Sequence, residues 1–161
     1  MTTFESLNLS SPILKAVTAE GYNTPTPIQA QAIPHLLAGR DLLGIAQTGT
    51  GKTAAFALPM LDLLAKDGRK AERGTCRALI LSPTRELAAQ IHESFKTYGK
   101  NVRLSCAVVF GGVSLGRQIE TVKNGVDILV ATPGRLVDLI DRRALTLSKV
   151  EILVLDEVDQ M

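Results

Sequence analysis

The chain has 161 residues, 45% of them hydrophobic and 21% charged, with a formal net charge of +2. That is enough apolar material for one domain with its own core, and the balance excludes an intrinsically disordered chain. The slight basic excess permits contact with a polyanion without predicting it, and two distant cysteines, Cys76 and Cys106, exclude a disulfide framework or a paired-cysteine zinc site and suit a reducing compartment.

The first ten residues, MTTFESLNLS, have neither the basic start nor the apolar run of a signal peptide. Residues 12–20 and 27–37 read as two helices joined by the turn-rich GYNTPTP. From residue 41 onward short apolar runs alternate with longer amphipathic segments. Strands are predicted at 42–46, 78–81, 105–110, 127–131 and 152–155, most of them so apolar that both faces should be buried. Helices are predicted at 52–65, 85–98, 115–123 and 135–142, with Leu87, Ile91 and Phe95 forming one apolar stripe. The charged stretch 66–77 (KDGRKAERGTCR) reads as a solvated surface loop rather than an RNA contact. This alternation predicts an α/β fold, a mostly parallel sheet between two helical layers, with residues 1–40 as a helical lead-in and 41–161 as the sheet-bearing domain. No apolar run spans a membrane, so a cytoplasmic protein with no membrane partner is expected.

The sharpest motif is AQTGTGKT, Ala46–Thr53, lying between a predicted strand and a predicted helix. A phosphate chain needs inward-pointing backbone N–H groups, and Gly49 and Gly51 let the backbone come close. Gln47, Thr48 and Thr50 complete this P-loop cradle, Lys52 sets an ammonium on the β/γ-phosphates, and Thr53 offers a hydroxyl to Mg²⁺. Ala46 stands where the general pattern has its first glycine, a position that mainly has to be small. A second apolar run ends in two acids, ILVLDE. Asp156 would hold Mg²⁺ through its water shell, and Glu157 would orient the attacking water. Taken alone, two acids after an apolar strand are as often plain strand-end residues.

AQTGTGKT, PTRELA at Pro83–Ala88, the Gly111–Gly112 pair, TPGR at Thr132–Arg135 and DEVD at Asp156–Asp159 follow one another in a known order. The whole chain resembles the DEAD-box ATP-dependent RNA helicases, and within them the bacterial RhlE-like subgroup. The resemblance implies a RecA-like P-loop domain that uses ATP and Mg²⁺ to separate short RNA duplexes. It implies that GYNTPTPIQ reads adenine, with Gln29 pairing to the base, Tyr22 stacking on it and Phe4 contributing nearby. It also implies that Pro83, Thr84, Arg85, Gly111, Gly112, Thr132, Pro133, Gly134 and Arg135 hold the sugar–phosphate backbone of a single RNA strand. Chemistry agrees: Thr84 and Pro133 mark helix starts, whose free amides and dipole favour an anion. Singly, each is more often just a helix cap.

Val158 departs from the alanine of the family motif, and neither neighbouring acid depends on it. The resemblance further implies a strand carrying Ser-Ala-Thr and a second RecA-like domain beyond Met161, so the sheet is expected to be incomplete and the isolated chain inactive. Larger ribonucleoprotein assemblies are possible partners of the parent protein. Two other readings stay open from the residues: another P-loop NTPase such as a DNA helicase, and a module that binds nucleotide or RNA without turnover.

Overall fold

A computed structural model of the chain describes residues 3–38 and 52–156. The strand expected at 42–46 lies outside them. The described elements run α1 (Ser11–Ala19), α2 (Pro27–Leu37), α3 (Lys52–Lys66), β1 (Cys76–Leu81), α4 (Arg85–Tyr98), β2 (Cys106–Val109), α5 (Leu115–Lys123), β3 (Val126–Ala131), α6 (Pro133–Asp141) and β4 (Ile152–Leu155). A short 3-10 turn, Glu5–Leu7, precedes them and was not expected. Close contacts divide the chain into two units, Met1–Gly68 with Ser94–Arg103, and Arg69–Glu93 with Leu104–Met161.

The first unit groups the lead-in helices with α3. Thr26 starts α2 through a capping box: its hydroxyl accepts the Gln29 N–H at 3.4 Å, and the Gln29 carbonyl accepts the Thr26 N–H at 3.0 Å. Two otherwise orphaned donors are thus satisfied, and Pro27 fixes the first helical residue. Asp62, buried in α3, accepts the Ser10 N–H at the start of α1. The rings of Phe56 and Phe95 meet at 6.2 Å, and Ile13, Ile33, Leu58 and Leu61 are buried in the same unit.

The second unit carries a four-stranded parallel sheet in the order β2-β3-β1-β4. On one face Leu79, Leu129 and Ala131 join Val122 of α5 and Leu136 and Leu139 of α6 in a common core. The other face, Ala78, Ile80, Ile128 and Val130, is as deeply buried. Burial on both faces therefore holds for the inner strands β1 and β3. It fails for β4, where Leu153 is 55% and Leu155 49% exposed. The register explains this, since these two leucines sit beside Leu79 and Leu81 at the edge of the described sheet.

The amino ends of the strands are fastened by polar contacts. Buried Asp127 accepts the Ala71 and Ser105 N–H groups at 2.7 and 2.9 Å. Arg77, 4% exposed, donates to Glu151 at 2.7 Å and to the Arg69 carbonyl at 2.9 Å. The predicted loop 66–77 is accordingly shorter than expected, because Lys66 ends α3 and Arg77 belongs to β1. Gly125, with φ +86°, turns α5 into β3 where an added Cβ would lie 2.7 Å from the Glu72 carbonyl oxygen. No helix of the described residues is long and apolar enough to cross a membrane.

Candidate functional site

In the first unit, Lys52 and Thr53 form the first turn of α3, both half-buried. The cradle residues Gln47, Thr48, Gly49, Thr50 and Gly51 lie outside the described residues. Gln29 is 6% exposed, and its amide is oriented by the bond to Thr26. Tyr22 is 49% exposed and leans on Tyr98, ring centroids 6.5 Å apart. Burial pushes the Tyr98 hydroxyl up to about 12, helped by the charge and hydrogen bond of Tyr22 and by the charge of Glu20. Phe4 is buried, 5% exposed, with its N–H to the Asn23 carbonyl, so it sits under the turn rather than on the surface. The structure thus gives Tyr22 an open ring face and Phe4 none.

In the second unit the strand register does the positioning. Leu81 pairs with Ala131 and with Leu155, and Ala131 pairs with Val109. The carboxyl ends of all four described strands are therefore level. From that edge leave Pro83–Arg85 after β1, Gly111 and Gly112 after β2, Thr132–Arg135 after β3, and Asp156 after β4. Ligands of open parallel sheets bind at this edge, because loops and helix amino ends converge there. Asp156 is 5% exposed, and its N–H is held by the Leu81 carbonyl at 2.9 Å. Glu157, Val158 and Asp159 lie outside the described residues.

Thr84 caps α4 with its hydroxyl, accepting the Leu87 N–H at 3.2 Å. Arg85 lays its guanidinium 5.0 Å over the Phe110 ring, a cation–π contact. Thr132 precedes α6 without a side-chain cap, and Pro133 takes the first helical position as expected. At Gly111 and Gly134 an added Cβ would meet nothing within 4 Å, and neither has a positive φ. Internal packing therefore does not demand glycine at either position. Gly112 differs, with φ +83° and the Arg85 guanidinium 3.1 Å from where a Cβ would stand.

The model of the DEAD/DEAH box helicase family matches residues 26–161. The chain belongs to that family. Among its relatives, the DEAD-box ATP-dependent RNA helicase CshA of Bacillus cereus is 45% identical over the whole chain, which covers 30% of that protein. The RNA helicase CrhR of Synechocystis is 48% identical over 99% of the chain and 31% of its own length. The ATP-dependent RNA helicase DeaD of Klebsiella pneumoniae is 48% identical over 99% of the chain and 24% of its own length. The chain thus spans less than a third of the curated relatives it matches. None of these three names bears on the RhlE-like subgroup.

Within this DEAD/DEAH box domain, Thr26, Gln118 and Phe110 were missed in the sequence. Thr26 and Gln29 match the T-x-x-Q capping signature, which was legible but unused. Gln118, 9% exposed, donates to the Phe110 carbonyl at 3.2 Å and accepts from Arg135 at 2.9 Å. Nothing in its local sequence marks it, since a mid-helix glutamine is ordinarily a surface residue. Phe110 is the third, as the platform for Arg85. Burial lifts the Cys76 thiol to about 11, and His92 contacts the Cys106 carbonyl at 3.2 Å. Among the described residues no three His, Cys, Asp or Glu side chains gather as a metal site.

Proposed function

We propose that this chain is the ATP-binding part of an ATP-dependent RNA helicase, holding Mg²⁺-ATP and one strand of RNA. The observation that carries the reading is the level carboxyl edge of the sheet, where Pro83–Arg85, Gly111–Gly112, Thr132–Arg135 and Asp156 all emerge. Family membership and the helicase names of the relatives support it. So does the AQTGTGKT motif directly before α3, whose first turn offers amides to phosphate.

In this reading Lys52 holds the β/γ-phosphates, Thr53 would ligate the metal through its hydroxyl, Asp156 would hold it through its water shell, and Glu157 would orient the attacking water. A hydroxyl and a carboxylate are hard oxygen donors, which suits Mg²⁺ rather than a softer ion. Mg²⁺ in such a site neutralises charge that builds on the transferring phosphoryl group. Gln29 reads adenine through one donor and one acceptor, a pattern that guanine, with two acceptors on the same edge, does not match. Tyr22 adds its exposed ring to the base. The helix starts at Thr84 and Pro133 take successive RNA phosphates, and the unhindered Gly111 and Gly134 let the RNA backbone come close. Such contacts carry no base identity, so the action is independent of sequence.

Hydrolysis and unwinding belong to the longer parent protein, because charge across the phosphoryl group is met from a second domain on closure. The 161-residue chain should bind nucleotide with little turnover. The test is a melting experiment with ADP and GDP, followed by ATPase assay of the full-length parent with and without RNA. ADP should raise the melting temperature and GDP should not, Lys52→Ala should remove the shift, and RNA should stimulate the parent's hydrolysis. Equal shifts by both nucleotides would count against Gln29 as adenine reader, and an ATPase indifferent to RNA would count against the helicase assignment.

A further inference from the structure

The turn that carries Gly111 and Gly112 is clamped at both ends from neighbouring helices. On its entry side Gln118 of α5 donates to the Phe110 carbonyl at 3.2 Å. On its exit side Arg135 of α6 donates to the Val113 carbonyl from both terminal nitrogens, at 3.3 and 3.4 Å. The clamp is closed on itself, because the same guanidinium donates to the Gln118 carbonyl oxygen at 2.9 Å. A planar guanidinium is suited to this, offering several donors in one fixed fork. Its Nε lies 3.8 Å from Asp138, too far for a hydrogen bond, and is buried without a partner among the described residues. The Arg135 side chain is 10% exposed and points into the protein. Gly112 takes its left-handed φ of +83° without strain, as glycine can, and with no regular ladder at the turn these hydrogen bonds are what fix its position.

We infer that Gln118 and Arg135 are positioning residues that set the Gly111–Gly112 turn for the RNA backbone, and that Arg135 is not itself a phosphate-gripping cation. The inference rests on the RNA reading above and gives it an internal part: the TPGR segment and the glycine pair act as one mechanical unit. Thr132 and Gly134 remain at the surface of that unit, while its arginine is spent on the turn. Gln118 acquires a functional role through two hydrogen bonds and no contact with ligand.

The test measures binding of a fluorescein-labelled single-stranded oligouridylate, with Mg²⁺ and a non-hydrolysable ATP analogue, across a range of KCl concentrations. Wild type is compared with Gln118→Leu and Arg135→Lys, and Arg135→Ala serves as the charge-removing control. Lysine keeps the charge and still binds phosphate, but it cannot make the forked contacts. Both variants should lose affinity about tenfold, the effect of roughly one lost hydrogen bond to a positioned group. The dependence on salt should stay as in wild type, since no phosphate contact is removed. Amide exchange of Gly111–Ser114 should accelerate in both without RNA, which reads the clamp directly. Should Gln118→Leu fail to fold, Arg135→Lys decides the matter. Wild-type affinity in Arg135→Lys, or no effect of Gln118→Leu, would overturn the assignment. An arginine gripping phosphate would instead show itself in Arg135→Ala as a salt slope smaller by about 0.7. If the wild-type chain binds no oligouridylate at any salt concentration, the RNA reading falls and this inference with it.

Discussion

Gly134 is the residue at which function and stability part most cleanly. It stands exposed in the first turn of α6, where an added Cβ would meet nothing and φ is ordinary. Alanine is a better helix former than glycine by up to about 1 kcal/mol. Gly134→Ala should therefore leave the melting temperature unchanged or slightly raised. The same methyl would stand where an RNA backbone is proposed to lie, and affinity for single-stranded RNA should drop roughly tenfold, the equivalent of one good contact. Differential scanning fluorimetry and anisotropy titration on one preparation check both halves. A loss of stability would mean that glycine serves the fold, and unchanged RNA affinity would mean that the site lies elsewhere. Gly112 offers no such separation, because its left-handed φ makes any side chain strained.

Residues of this kind were visible in the sequence only in part. Glycine and proline beside predicted strand ends are local signals, and TPGR and PTRELA could be placed at helix starts from them. The inward turn of Arg135 was not legible. Whether an arginine at a helix start faces water or folds back on a neighbouring carbonyl depends on α5 and the 110–114 turn, which are brought to it by the fold. Gln118 was missed for the same reason. Phe4, expected to contribute near the nucleotide, is buried at 5% exposure, since an isolated aromatic is as readily core as ligand platform.

At the scale of elements the sequence was informative where patterns are strong and local. The α2, α4 and α5 spans were predicted with their observed bounds, and β4 likewise. Proline, glycine and capping residues punctuate these segments, and helical periodicity fills them. Burial of β4 was misjudged because an apolar strand reads alike whether central or at an edge; only the strand order distinguishes the two. The start of α2 yields a prediction. Thr26→Ala removes the hydroxyl that accepts the Gln29 N–H, and loss of such a cap costs about 1 kcal/mol. For a chain of this size the melting temperature should fall by roughly 2–4 °C, and Thr26→Ser should restore it. A melting temperature equal to wild type in Thr26→Ala would mean that the capping box is absent in solution.

For the whole molecule, the account depends on bringing two distant stretches of sequence to one ligand. Lys52 and Thr53 open α3, and Asp156 follows β4. We propose, from the order of the motifs in the sequence, that both serve a single metal–nucleotide complex. The parallel sheet supplies a level edge for Asp156 and for the three loops beside it.

The most direct measurement is paramagnetic broadening in the ¹⁵N-labelled chain, with Mn²⁺ in place of Mg²⁺ and ADP bound. Broadening decays steeply with distance from the ion, so it reports which amides lie around it. The account predicts that the amides of Lys52, Thr53 and Asp156 broaden together, only when ADP is present, and that Lys52→Ala removes the effect at all of them. Broadening at Lys52 and Thr53 with Asp156 left sharp, or the reverse, would contradict it.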